Sequence, residues 1–192
     1  MKTSIKTLFA TGLIALATTT SAVYANTNNT SISASAVKIS SVKKLVISGN
    51  VEVTISQDAN AKALYANEGN ENVLVTKLGG TIYVNSKNNA KITLYVDDIY
   101  RIEASENAIV KNESVLSLTY LQVFLKGNAR AELNTTTEDL FTSIKNKSNL
   151  TLSGNTEKYK IEMDNSSRIA LDQFKSKNTD ATASDVYVSS RR

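Results

Sequence analysis

The chain contains no cysteine, histidine, proline or tryptophan among its 192 residues. Without cysteine it forms no disulfide and offers no attachment residue for a lipoprotein anchor. Without histidine it lacks the commonest metal ligand and a frequent general base. These absences exclude disulfide scaffolds, histidine-based metal centres and histidine-dependent catalysis.

Long hydrophobic runs are also missing. The apolar stretch at residues 8–17 has about ten residues, which is too short to span a bilayer as a helix. It follows Lys2 and Lys6 and precedes Ala25 and Asn26, an arrangement typical of a secretory signal peptide that is cleaved after Ala25. The sequence therefore predicts an exported protein, located in the periplasm or on the outer cell surface, with no transmembrane segment.

Net charge of either sign is low. The formal charge of +4 includes the two lysines of the predicted signal peptide, so the mature chain carries a surplus of only two positive charges. A basic stripe rich in arginine is absent from the sequence. This balance argues against nucleic acid as a partner.

What the sequence does contain is a short recurring pattern. Two alternating apolar residues precede a turn marked by asparagine, and two more follow it. The four copies are Leu45-Ile47-Asn50-Val51-Val53, Ile102-Ala104-Asn107-Ala108-Val110, Val123-Leu125-Asn128-Ala129-Ala131 and Ile144-Asn146-Asn149-Leu150-Leu152. The last three turn asparagines are 21 and 21 residues apart. A fixed period near 20 with strand-type alternation indicates stacked coils.

The apolar residues of this pattern are predicted to form the core, and the turn residues the corners. Neighbouring coils stacked about 4.8 Å apart share the inward row, and asparagine tolerates the left-handed backbone of a corner. The predicted turn residues are Asn50, Asn107, Asn128, Asn149, Arg168 and Asp185. We expect an all-β, right-handed parallel β-helix, arranged as a signal peptide at 1–25, a flexible spacer at 26–40 and a single solenoid domain at 41–192.

Residues between the first two copies read as further short strands. Alternating runs occupy 51–55, 73–76, 81–84 and 92–96, and residues 59–66 are assigned to a strand despite fair helix propensity. Gly79 and Gly80 separate two of these runs, so a tight reversal is expected there. The section is predicted to continue the same winding, with one hairpin-like excursion at the glycines.

The order of these motifs resembles the GIN-domain family, the putative auto-transporter adhesin head domains of Bacteroidetes-type bacteria. The resemblance covers about residues 38–188, and three motifs carry it: Ser48-Gly49-Asn50-Val51-Glu52-Val53, Lys126-Gly127-Asn128-Ala129 and Lys147-Ser148-Asn149-Leu150. It implies an exported right-handed parallel β-helix whose biochemical role is uncharacterised. The chain departs from the family at Glu106-Asn107, Ser167-Arg168 and Ser184-Asp185, where glycine-containing pairs are usual.

Catalytic carboxylates are not indicated by the repeat. The position four residues before each turn holds Glu103, Phe124 and Lys145, which is not a ladder of acids for acid–base work or Ca²⁺ binding. The pairs Asp97-Asp98 and Glu138-Asp139 are expected to point to opposite faces of a strand. No catalytic, cofactor-binding or metal-ligating residue is therefore assigned.

Three groups of side chains could instead contact a partner. The asparagine row is either a polar strip for glycans or, as we favour, a corner ladder that satisfies turn backbone. Tyr83, Tyr95 and Tyr100 could form an aromatic strip, with Tyr95 outward. The lysines are interpreted as a solvated face, exemplified by Lys43, Lys44, Lys145 and Lys147.

The sequence thus favours a non-enzymatic, adhesin-like or scaffolding domain that binds a glycan or protein at the cell envelope. Homo-oligomers through edge or end stacking are also compatible, because open coils expose strand edges. The alternatives left open are a carbohydrate-active enzyme built on a β-helix and a purely structural envelope protein.

Overall fold

The computed structural model describes residues 22–24, 42–61, 65–67 and 73–184, and within these ranges the regular structure is entirely β. The strands are β1 (Ala22–Tyr24), β2 (Lys44–Gln57), β3 (Tyr65–Asn67), β4 (Leu74–Leu78), β5 (Thr81–Val96), β6 (Arg101–Ala104), β7 (Ile109–Asn112), β8 (Leu116–Leu125), β9 (Arg130–Ile144), β10 (Asn149–Asp164) and β11 (Arg168–Ser184). The prediction of an all-β fold is confirmed.

These strands form one sheet that closes around a single core. The order along it is β1-β4-β5-β2-β6-β8-β9-β10-β11, while β7 pairs with both β2 and β9, and β3 pairs with β5. Pairing is parallel from β5 through β11. Strand β9 pairs with β7 near its start and with β8 along the rest, because it bends and contributes to two sides of the barrel-like sheet.

One side of the sheet is built from the same segment of each coil. We call it face A, and it consists of residues 44–47, 81–84, 101–104, 122–125, 141–144, 160–163 and 180–183. The successive pairs Arg101–Gln122, Gln122–Phe141, Phe141–Lys160 and Lys160–Asp180 are 21, 19, 19 and 20 residues apart. The predicted period near 20 is therefore present in the strand register.

The inward rows of face A confirm the predicted core. One row contains Leu45, Ile102 and Val123, and the next contains Ile47, Leu125 and Ile144, all of them buried. Outward residues alternate with these rows, as strand geometry requires. The alternation changes character near the β11 end, where Thr142 and Tyr159 occupy inward positions and share a hydrogen bond of 2.9 Å. Burial raises the pKa of the Tyr159 phenol to about 12.

The predicted hairpin at Gly79–Gly80 is confirmed, but the predicted order of winding is wrong. Strands β4 and β5 pair antiparallel around these glycines, and Gly79 has a φ of 57°. Strand β5 then stacks on one edge of β2, while β6 and β7 stack on the other. The first coil in the sequence is consequently the second in space, and β3 and β4 lie on the outer edge of β5.

Two of the predicted turn residues lie in strands instead. Asn149 and Arg168 begin β10 and β11, and Arg130 pairs with Asn149. The coil after Asn128 is two residues shorter than the one before it, so Lys147 takes the corner place equivalent to Asn128. Ser148 then occupies the inward position and is fully buried. The predicted turn at Asp185 lies outside the described residues.

The segment predicted as a strand at 59–66 is only partly so, because residues 59–60 form a turn and β3 begins at Tyr65. The predicted signal peptide and spacer also lie outside the described ranges, except for β1, which pairs antiparallel with β4. Their boundaries stay predictions. Among the described residues, no helix has the length and apolar character needed to cross a membrane.

Candidate functional site

A row of aromatic and cationic side chains crosses the outer surface of face A. The rings of Phe124 and Phe141 lie 5.5 Å apart between centroids and are tilted by 55°. The Arg101 guanidinium lies 4.0 Å from the centre of the Phe124 ring, and the Lys160 ammonium lies 5.9 Å from that of Phe141. We call these four residues the aromatic band.

Strand alternation explains why these phenylalanines face outward. Phe124 lies between the buried Val123 and Leu125, and Phe141 lies between the buried Leu140 and Thr142. Both rings are half-buried, because each packs against neighbouring outward side chains. An aromatic ring under a cation is held in place by attraction between the charge and the ring face, so the band is preorganised.

Ion pairs flank the band on both sides. Glu103 contacts the Lys44 ammonium at 2.8 Å and the Arg101 guanidinium at 2.6 Å. Burial acts to raise the pKa of Glu103, but hydrogen bonds from Lys44 and Arg101 outweigh it and lower that pKa below its ordinary value. Lys160 lies 3.6 Å from Glu162. Both carboxylates therefore have cationic partners.

The surface beside Phe124 is concave. A groove of about 450 Å³ is lined by the outer parts of four adjacent strands, and its lining includes Glu103, Phe124, Lys126, Ser143, Lys145 and Glu162. We call it the Phe124 groove. A second groove of about 550 Å³ lies beside Phe141 and includes Tyr120, Gln122 and Lys158. The phenylalanine pair thus lies between two depressions on one face.

Three of the predicted turn asparagines form a corner ladder. The Asn107 amide donates to the side-chain oxygen of Asn50 at 2.8 Å, and the Asn128 amide donates to that of Asn107 at 3.3 Å. The Asn50 amide donates to the carbonyl of Lys87 at 2.9 Å. The favoured interpretation, a ladder that stabilises corners, is confirmed for these three residues, whereas Asn149 lies outside it.

The predicted tyrosine strip is not assembled. Tyr83 is opposite Val46, and Tyr95 is opposite Ser56 beyond a corner of the same strand. Tyr100 precedes β6 and bonds through its backbone to Lys43. Tyr83 and Tyr100 are exposed and Tyr95 is half-buried. Among the described residues the ring contacts involve other aromatics.

The predicted lysine face divides into paired and unpaired members. Lys43 contacts Asp98 at 2.7 Å, and Lys44 contacts Glu103. Lys145 lines the Phe124 groove, and Lys147 occupies a corner with its backbone bonded to Ser166. Only Lys44 and Lys145 therefore lie on or beside face A.

The acids are dispersed. Glu103 is beside Phe124 as predicted, but the next residue in the row is Ser143 rather than Lys145. Asp97 and Asp98 lie in a bend. The prediction that Glu138 and Asp139 face opposite sides is wrong: both are outward because β9 bends there. Within the described ranges, no three acidic residues are grouped to hold a metal ion.

Sequence reasoning missed the aromatic band because it assumed a constant period of 21. With that period Phe124 would be followed in the row by Lys145, and Phe141 would have no aromatic neighbour. The available signal was the alternation itself, since Phe124 and Phe141 each stand between inward residues. A coil shortened by two residues brings the two rings onto adjacent strands.

Comparison with known proteins agrees with the all-β architecture. A solved structure titled a putative lipid binding protein, from Parabacteroides distasonis, aligns with a TM-score of 0.50 and 11% identity over 77% of this chain and 76% of its own. At that identity the likeness concerns the fold alone. The comparison with curated proteins gave no match.

The sequence profile of one family matches residues 41–189. That range contains the face A strands, the asparagine ladder and the glycine hairpin described above. The chain belongs to the family described as the putative auto-transporter adhesin, head GIN domain.

Proposed function

We propose that the protein is an exported, adhesin-like binding domain that holds a glycan of the cell envelope on the outer surface of face A. The aromatic band carries this proposal. Sugar rings have apolar C–H faces that pack on aromatic rings, while their hydroxyl groups need hydrogen-bonding partners nearby. Phe124 and Phe141 offer the first, and the charged residues around them offer the second.

The layout suits an extended ligand rather than a small buried one. The two grooves lie on either side of the phenylalanine pair and are open along the stack of strands. Parallel strands lie about 4.8 Å apart, so each sugar unit of a chain would span one or two strands. A row of such contacts supplies binding without a deep pocket.

The proposal includes a right-handed parallel β-helix as the scaffold. Support comes from parallel pairing along β5 to β11 and from the return of face A every 19–21 residues. Connections between parallel strands of one sheet are right-handed in nearly all proteins. The family's description as an adhesin head domain supports placement at the cell surface.

The proposal is also that the domain is not an enzyme. Glu103 and Glu162 are the acids of the Phe124 groove, and they are separated by three strand spacings, or about 14 Å. Glycosidase carboxyl pairs lie about 5–9.5 Å apart. The lowered pKa of Glu103 favours its charged form, which cannot donate a proton. A carbohydrate-active enzyme would need a closer pair with one raised pKa.

A glycan array with three proteins tests the proposal. The wild type is compared with a Phe124→Ala/Phe141→Ala double variant and with Tyr83→Ala, which removes an exposed ring elsewhere on the same face. We expect the double variant to lose binding and Tyr83→Ala to keep it. Equal binding by all three would overturn the site. An empty array together with an empty pull-down from envelope extract would favour a purely structural role. Release of reducing ends from a bound polysaccharide would favour the enzyme.

A further inference from the structure

We propose that the Phe124 groove selects an acidic saccharide, with a sugar ring on Phe124 and its carboxylate, phosphate or sulfate group between Lys126 and Lys145. This inference rests on the proposed glycan-binding function and specifies its ligand. The three residues line the same groove. Neither lysine is assigned a role by the fold.

The two lysines are neighbours across the stack. Each directly follows a strand residue of an adjacent pair, Leu125 and Ile144. The Lys145 backbone N–H donates to the carbonyl of Leu125 at 2.9 Å, so the backbones lie about one strand spacing apart. Both side chains are exposed. Two ammonium groups on such neighbouring positions can converge on one anion.

These lysines are the free cations of the groove. Within the described part of the chain, neither Lys126 nor Lys145 forms an ion pair, whereas Glu103 and Glu162 are paired with other cations. Asp164 follows Lys145 in the stack, but its oxygens accept hydrogen bonds from Asn146, Ser166 and Ser167. The site therefore keeps two uncompensated positive charges beside an aromatic ring.

Ring and charges are close enough to contact one sugar unit. Lys126 is two residues beyond Phe124, which corresponds to about 7 Å along an extended chain. A pyranose ring that carries an acidic substituent has a similar length. Neutral sugars would leave both lysines without a partner, so the acidic substituent supplies the preference.

The test uses charged oligosaccharides with matched neutral parents. The panel contains oligogalacturonate with its methyl ester, and a sulfated and a phosphorylated oligosaccharide with their unmodified forms. Binding is measured by calorimetry for the wild type, for Lys126→Ala/Lys145→Ala, and for the control Lys87→Ala/Lys175→Ala. The control removes two exposed lysines outside the groove and changes net charge equally.

We expect at least one charged probe to bind more tightly than its parent. The groove variant should lose about tenfold or more of that affinity, since hydrogen bonds to charged groups contribute about 1.5–3 kcal/mol each, while the control keeps it. Equal binding of charged and neutral probes would overturn this inference and leave the proposed function standing. Equal losses in both double variants would also overturn it.

Two further outcomes separate the inference from its foundation. No binding of any charged or neutral probe would overturn the proposed glycan-binding function itself. Vesicles containing phosphatidylglycerol provide the second arm, with neutral phosphatidylcholine vesicles as reference. Lysine-dependent binding to the anionic vesicles, without binding to the oligosaccharides, would replace the glycan by a membrane surface. Circular dichroism of each variant verifies that the fold is retained.

Discussion

Replacing Leu125 by aspartate tests the strand register on which the site depends. Leu125 is 2% exposed and pairs with Ala104 and Ile144 in the inward row of face A. Removing its side chain beyond Cβ should cost about 2–5 kcal/mol through lost burial and the remaining cavity. Aspartate adds an unpaired carboxylate to the core, which costs several more. The total approaches the whole stability of a domain, about 5–15 kcal/mol.

Urea denaturation followed by circular dichroism measures this prediction. Leu125→Ala should unfold at a clearly lower urea concentration than the wild type, and Leu125→Asp should be largely unfolded without urea. Lys126→Asp is the matched control, because the adjacent side chain is exposed and such changes stay within about 0.5 kcal/mol. Equal midpoints for the two aspartate variants would refute the register.

Three further changes address the corners, each measured by the same denaturation. Glu106 has a φ of 62°, so Glu106→Gly should stabilise the protein by up to about 1 kcal/mol, since glycine adopts this backbone without strain; a loss of stability would contradict the strain. Asn107→Ala removes two ladder hydrogen bonds and should cost about 1–2 kcal/mol; an unchanged midpoint would show that the exposed ladder contributes nothing. Hydrogen bonds, first that from the Asn146 backbone, lower the pKa of Asp164 to about 2. Its stabilising effect is therefore complete above the unfolded pKa near 4 and lost as pH falls toward 2, so the deficit of Asp164→Asn should shrink over that interval; a deficit independent of pH would count against this assignment.

The inward rows could be predicted from the sequence because alternation is local. Leu45, Ile102 and Val123 each stand between polar or outward residues, and the period of two assigns them to one side without knowledge of their partners. The asparagine corners followed from the same reasoning, since Asn50, Asn107 and Asn128 end alternating runs of equal length. Local chemistry determined both features.

The spatial order of the coils could not be predicted in this way. Strand β2 is apolar along the whole inward row and presents two equivalent edges, so nothing in its own sequence selects which edge receives β5. The choice depends on how the chain returns through β3 and β4, which cover β5 from outside. Pairing between distant segments is a property of the whole chain.

Coil length is the feature that connects the fold to the site. In the predicted register of 21 residues, Lys145 would follow Phe124 in the outward row and its long side chain would cover the ring. The observed coil of 19 residues places Ser143 there instead, and a serine leaves the ring accessible. The same shift moves Lys145 to the position beside Lys126. Insertion of two residues between Asn128 and Arg130 would leave face A unchanged, whereas insertion of two outward residues between Thr137 and Leu140 would retain alternation but separate these side chains. The groove therefore depends on where the coil is short, and the core, which requires only alternation, does not.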